Sequence, residues 1–180
     1  MKIGVFIILL MTSHSIFANP ILKLPSTKCN GNYFSIRVVD LSFCVSKQKI
    51  EEVNLLGISS TTAIIKEDGL ELSIGLNPPE ISISNLHKKL GLTVHEFFMG
   101  LYSEDIDVDN FSAIKSAFDI NSQNKLSVYS NGNLYAFVII GSNVDYDRIY
   151  LNKKGSDIVY QVTGEFSSKE LLSILSKIKY

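Results

Sequence analysis

His95-Glu96 begins like a zinc-protease helix, in which two histidines four residues apart share one face and the glutamate acts as general base. Met99 stands where the second histidine belongs, and one imidazole cannot replace two ligands. His95 therefore reads as a first-turn helix residue, with His87 the only other histidine beyond residue 18. Asp105-x-Asp107-x-Asp109 opens like a calcium loop, but Asn110 occupies the position whose sharp turn needs glycine. Ser116 occupies the position of the closing bidentate glutamate. Together with Glu104, Asp105, Asp107 and Asp109 make the densest acidic patch of the chain, a candidate surface for a basic partner. The nucleophile-elbow, dinucleotide and P-loop patterns are missing, and no carboxylate pair or nucleophile–base pair stands out. No catalytic, cofactor-binding or metal-ligating residue is assigned, and no cofactor is called for.

Cys29 and Cys44 are the only cysteines. A 14-residue gap is unlike Cys-x-x-Cys, and an even count in an exported chain points to a structural disulfide. Export is expected from the first residues. Met1-Lys2 is a short basic start, Ile3–Met11 an apolar core, and Ser15-Ile16-Phe17-Ala18 a small-residue cleavage site. About nine apolar residues fall short of the roughly 20 that span a bilayer. The reading is thus a signal peptide over 1–18 and one exported domain over 19–180, periplasmic or secreted, with no membrane span in the mature chain. Beyond residue 18 the chain keeps 16 basic against 18 acidic residues, and Arg37 and Arg148 are its only arginines. Nucleic-acid binders need an arginine-rich basic stripe, so that class is excluded.

Patterning supplies the elements. Tyr33–Val45 is rich in strand formers and is split by Asp40. Lys47–Leu56 reads as a short helix, because Ile50, Val53 and Leu56 would share a face. Thr61–Leu76 reads as a hairpin turning at Asp68-Gly69, pairing Ile65 with Leu72, Ala63 with Ile74 and Lys66 with Glu71. Pro78-Pro79 ends it. Asn85–Leu90 gives a short helix stopped by Gly91. Thr93 with Glu96 makes a capping box, stapled by Leu92 and Phe97. Asp109 is placed to cap a helix carrying Phe111, Ile114 and Phe118.

A second hairpin turns at Asn131-Gly132, which would set Tyr129 opposite Leu134, Val128 opposite Tyr135 and Leu126 opposite Phe137. Leu134–Ile140 is apolar at both parities, as expected of a strand covered on both sides. A third hairpin turns at Lys153-Lys154-Gly155-Ser156. Ser167 with Glu170 is another capping box, stapled by Phe166 and Leu171, and Leu171, Leu172, Ile174, Leu175 and Ile178 form one apolar stripe. The order implies an α+β fold, a largely antiparallel sheet with helices packed on both faces.

The closing run Ile149-Tyr150-Leu151, Ile158-Val159-Tyr160-Gln161-Val162 and Leu171–Ile178 resembles the Mog1/PsbP-like sandwich. That resemblance implies a binding or accessory protein, since most of that superfamily is non-catalytic, and it carries no site residues with it. The leading expectation is a non-enzymatic protein-binding or accessory domain, one form being an immunity-type inhibitor of an effector. A carrier of a small apolar ligand or lipid is the first alternative, with Phe97, Phe98, Phe111 and Phe118 lining its pocket. An enzyme with an unfamiliar site is the second. Tyr102, Tyr135, Tyr146 and Tyr150 are candidates for a binding surface, and Asn110-Phe111-Ser112 has the form of a glycosylation sequon.

Overall fold

The computed structural model describes residues 20–57, 61–103, 109–141 and 146–180, with the side chains of residues 109 and 110 left aside. The proposed signal segment, the acidic patch Glu104, Asp105 and Asp107, and the Asp109 cap and Asn110 sequon side chains lie outside the described residues. Cys29 and Cys44 are joined as expected, with Cα atoms 5.7 Å apart, a usual disulfide spacing. Among the described residues, no helix is long and apolar enough to cross a membrane.

The fold is α+β. An eight-stranded, mostly antiparallel sheet runs in the order β1-β7-β8-β9-β10-β6-β5-β4, and a second sheet in the order β11-β3-β2. In the large sheet β1 is Leu22–Lys23, β4 Ile50–Leu56, β5 Thr62–Glu67 and β6 Leu70–Leu76. Its remaining strands are β7 (Leu126–Asn131), β8 (Leu134–Ile139), β9 (Asp147–Lys153) and β10 (Val159–Gly164). The small sheet holds β2 (Tyr33–Val38), β3 (Leu41–Ser46) and β11 (Ile178–Lys179). The helices are α1 (Pro79–Ser82), α2 (Leu86–Lys89), α3 (Val94–Tyr102), α4 (Asp109–Ala117) and α5 (Ser168–Lys177).

Local chemistry accounts for the element ends. At Asp68-Gly69 both central residues take positive φ (56° and 77°), as a two-residue type I′ hairpin requires. All three expected pairs across it are present. Both capping boxes are formed: Thr93 and Ser167 accept from the amides of Glu96 and Glu170, whose carboxylates reach back to the caps. Pro79 opens α1 from the first helical position, where its missing N–H costs nothing.

Three expectations are corrected. Ile50–Leu56 is a strand, not a helix. Ile50 and Val53 do share a side, but through a register shift between Ile50 and Glu52 that returns residues three apart to one face. The second hairpin turns at Gly132-Asn133, with Gly132 at φ 62° in the first central position, so Tyr129 faces Ala136 and Val128 faces Phe137. That slip shifts each pairing by two residues and so leaves every side chain on its expected face. Leu172 is 52% exposed while Leu171, Ile174 and Leu175 are buried. Helix α5 also ends at Lys177, so Ile178 is buried from a strand paired with Phe43.

Two clusters form the core. One joins Val38, Leu41 and Phe43 of the small sheet with Ala136, Val138, Ile149, Val162 and Ile74 of the large sheet, and with Leu171, Ile174 and Leu175 of α5. The other joins Phe97, Phe98, Leu101, Phe111 and Phe118 with Val128, Phe137, Ile139 and Tyr150. Ala136 and Val138 enter the first and Phe137 and Ile139 the second, so β8 is buried at both parities, as its sequence implies.

The lead-in is fastened along its length. Leu24 donates to Ser130, Thr27 donates to Ser176 from both its amide and its hydroxyl, and Cys29 is tied to Cys44 on β3. Closing a loop of 15 residues contributes about 3 kcal/mol by restricting the unfolded chain. Reduction of this bond is expected to lower unfolding stability by about that amount, measured by urea denaturation with and without reductant.

Candidate functional site

Side chains alternate across a sheet, so each cross-strand row belongs to one face. One row reads Val128, Phe137, Tyr150, Gln161, Gly75, Thr62, Leu56, and the next on the same face reads Leu126, Ile139, Arg148, Thr163, Ser73, Ile64, Asn54. Both rows change character at β10. Val128, Phe137 and Tyr150 are buried against Phe98 and its neighbours, whereas Gln161, Gly75, Thr163, Ser73 and Ile64 are half-exposed and Asn54 and Leu56 exposed. The opposite parity of β5 and β6 carries Ala63, Ile65, Leu72 and Ile74, all buried. Among the described residues, half of one sheet face is thus left open, floored by β10, β6, β5 and β4.

Arg148 stands at the border. Its guanidinium lies 3.1 Å from the Asp119 carboxylate, next to Tyr150, whose pKa burial pushes up. Beside it the open half deepens into a cleft of about 320 Å³, walled by Glu71, Ser73, Tyr146, Thr163, Gly164 and Glu165. Gly164 makes the close packing of β10 on β6 possible, since a Cβ there would lie 2.7 Å from the backbone oxygen of Glu71. Two hydroxyls, two carboxylates and a tyrosine 57% exposed offer hydrogen bonds, negative charge and an aromatic face. This chemistry suits recognition of a polar or basic surface.

No family model, curated protein or solved structure matches this chain. Geometry alone therefore ranks the residues singled out in the sequence.

His95 is a buried first-turn residue of α3, as expected. Its ring meets Tyr135 edge-on at 4.4 Å, and its Nδ1 has no hydrogen-bond partner. His87 is 2% exposed, again with Nδ1 unpaired. Among the described residues no group of three or more histidine, cysteine or carboxylate side chains is placed to hold a metal ion. Phe97, Phe98, Phe111 and Phe118 pack on one another, with centroid separations of 5.6 Å for Phe97–Phe98 and 6.2 Å for Phe97–Phe111. None of the four lines the cleft described above. Of the four candidate tyrosines, Tyr150 is buried in the second cluster and Tyr102 and Tyr135 pack against it, so Tyr146 is the one that reaches the open face.

Both histidines are held below the ordinary value near 6.5, chiefly by burial, with the positive charge of Lys88 acting on His87 and that of Lys154 on His95. The native state resists protons that the unfolded chain accepts, so their contribution is complete above about pH 6.5 and is lost as pH falls through the folded values. Urea midpoints should decline on acidification below that pH. His95→Phe should flatten the decline, measured as midpoint against pH.

Part of the open face is legible in the alternation of Leu70, Leu72, Ile74 and Leu76 with Glu71, Ser73 and Gly75. Gln161 and Thr163 could not be added to it from sequence, because only the long-range pairing of β10 with β6 brings them beside Gly75 and Ser73.

Proposed function

We propose that this chain is an exported, non-enzymatic accessory domain that works by binding a protein partner through the open half of its sheet. The observation that carries the reading is the change at β10, where the buried row Val128, Phe137 and Tyr150 gives way to half-exposed Gln161, Gly75 and Thr62, and the row beside it to half-exposed Thr163 and Ser73. A polar half-face beside an exposed tyrosine suits a wet, reversible protein interface. Glu52, Glu71 and Glu165 outnumber Lys66 on it, a negative cast that favours a basic partner surface, the same chemistry as the acidic stretch Glu104, Asp105, Asp107 and Asp109. Inhibition of an effector, in the manner of an immunity protein, is one form such binding would take. The disulfide is compatible with export and with the leader read at 1–18. In this reading α5 covers one face of the large sheet and α3 and α4 the covered half of the other, the helix arrangement of a Mog1/PsbP-like sandwich.

A photo-crosslinking residue at Thr163 should capture one protein from the envelope fraction, whereas the same residue at Leu172 on α5 should not. A turnover activity of the purified chain, abolished by one point substitution, would contradict the reading.

A further inference from the structure

The two ends of the large sheet are unlike each other. At one end β1 has only two residues, while at the other β4 has seven and is the terminal strand among the described residues. Long edges invite pairing unless blunted by charge, proline or a bulge. The first half of β4 is blunted: it carries Glu51 and Glu52 and the register shift. Glu51 is also engaged within the chain, accepting from the Gly69 amide at 2.7 Å and lying 3.5 Å from Lys66. The second half, Val53-Asn54-Leu55-Leu56, has no such protection, with Leu55 71% and Leu56 49% exposed.

Backbone direction follows from the ladder. The Asp68 amide donates to Lys49 and the Leu76 amide to Thr61, so alternate residues of β5 turn towards β4 and the rest towards β6. Thr62, Ile64 and Lys66 face Leu56, Asn54 and Glu52. The backbone groups of Val53 and Leu55 are therefore the ones directed outward.

We infer that β4 pairs antiparallel with β4 of a second copy, about a two-fold axis at Asn54. This register sets Val53 of each copy opposite Leu55 of the other, using the outward backbone groups of both. It also continues an apolar row from Ile74, Ala63 and Leu55 of one copy into Val53, Ile65 and Leu72 of the next. A two-fold at Val53 would instead put Leu55 against Glu51. The Asn54 register places each Glu52 against Leu56 and keeps the acidic ends apart, so like charges do not meet. The strand supplies its own complement, and this selects a second copy as the occupant. The inference does not rest on the proposed function, since the open face remains free in the pair.

Sedimentation equilibrium of the full chain should give twice the monomer mass. Leu55→Lys, at a site open to solvent, should weaken the dimer at least about ten-fold, with the far-UV circular dichroism of the folded chain unchanged. Asn54→Cys should form an intermolecular disulfide on mild oxidation, because directly opposed Cβ atoms lie about 5 Å apart. Glu52→Cys should not, its symmetry mate being about 13 Å along the strand. A monomer mass up to about 100 µM, a dimer indifferent to Leu55→Lys, or equal crosslinking at both cysteines would overturn the inference. So would a monomer that pairs only with a foreign protein.

Discussion

Phe98→Ala should lower the unfolding free energy by about 4 kcal/mol, within the range for truncating a buried phenylalanine. The ring is 1% exposed and stacks on Phe137 at 4.9 Å, while also meeting Tyr150 at 5.1 Å, Phe97 at 5.6 Å and Phe118 at 6.5 Å. Transfer of the lost carbons from water accounts for part of the cost. The cavity among four aromatic neighbours accounts for the rest, because rings held by separate elements cannot all move in to fill it. The effect should appear as a lower urea midpoint with little change in slope. The same measurement bears on the carrier alternative. A phenylalanine lining a ligand pocket already faces empty space, so its truncation would cost only the transfer part, about 2 kcal/mol or less.

Lys177→Met should cost about 3 kcal/mol, the penalty for leaving a buried charge unpaired. Lys177 meets Glu67 at 2.7 Å, with side chains 18% and 8% exposed, and joins α5 to β5. Glu67 also accepts from the Ser46 amide at 3.2 Å, tying in β3. Without the ammonium that carboxylate keeps one neutral donor and little water. Removing both charges, as Glu67→Gln with Lys177→Met, should recover most of the loss, since the pair repays its own desolvation only in part. A double-mutant cycle by urea denaturation reads the coupling. Equal losses in the single and double variants would mean that the aliphatic stem of Lys177, not its charge, holds the helix down.

The two Asx/Gly hairpins show where sequence is decisive and where it is not. Asp68-Gly69 has one placement, because both residues take positive φ and the flanking alternation is strict. Ser130-Asn131-Gly132-Asn133 offers two, since Asn-Gly and Gly-Asn both satisfy a primed turn. Contacts further along the strands chose the second. Lys47–Leu56 misled for another reason: apolar residues three apart fit a helix, and a bulge gives a strand the same one-sided burial. Capping boxes were legible because their hydrogen bonds close within four residues. The open face was only half legible. Its hydroxyl row crosses strands far apart in the chain, and strand order is a long-range outcome.

Affinity capture of a partner from the envelope fraction tests the central claim most directly, when Ser73→Arg on the open face is compared with Ser173→Arg on exposed α5. The charge change is the same at both sites, and unchanged melting would show that both variants fold. One stoichiometric protein should co-elute with the unaltered chain and with Ser173→Arg and be lost with Ser73→Arg. Equal retention by both variants, or recovery of only the bare polypeptide or a bound lipid, would contradict it.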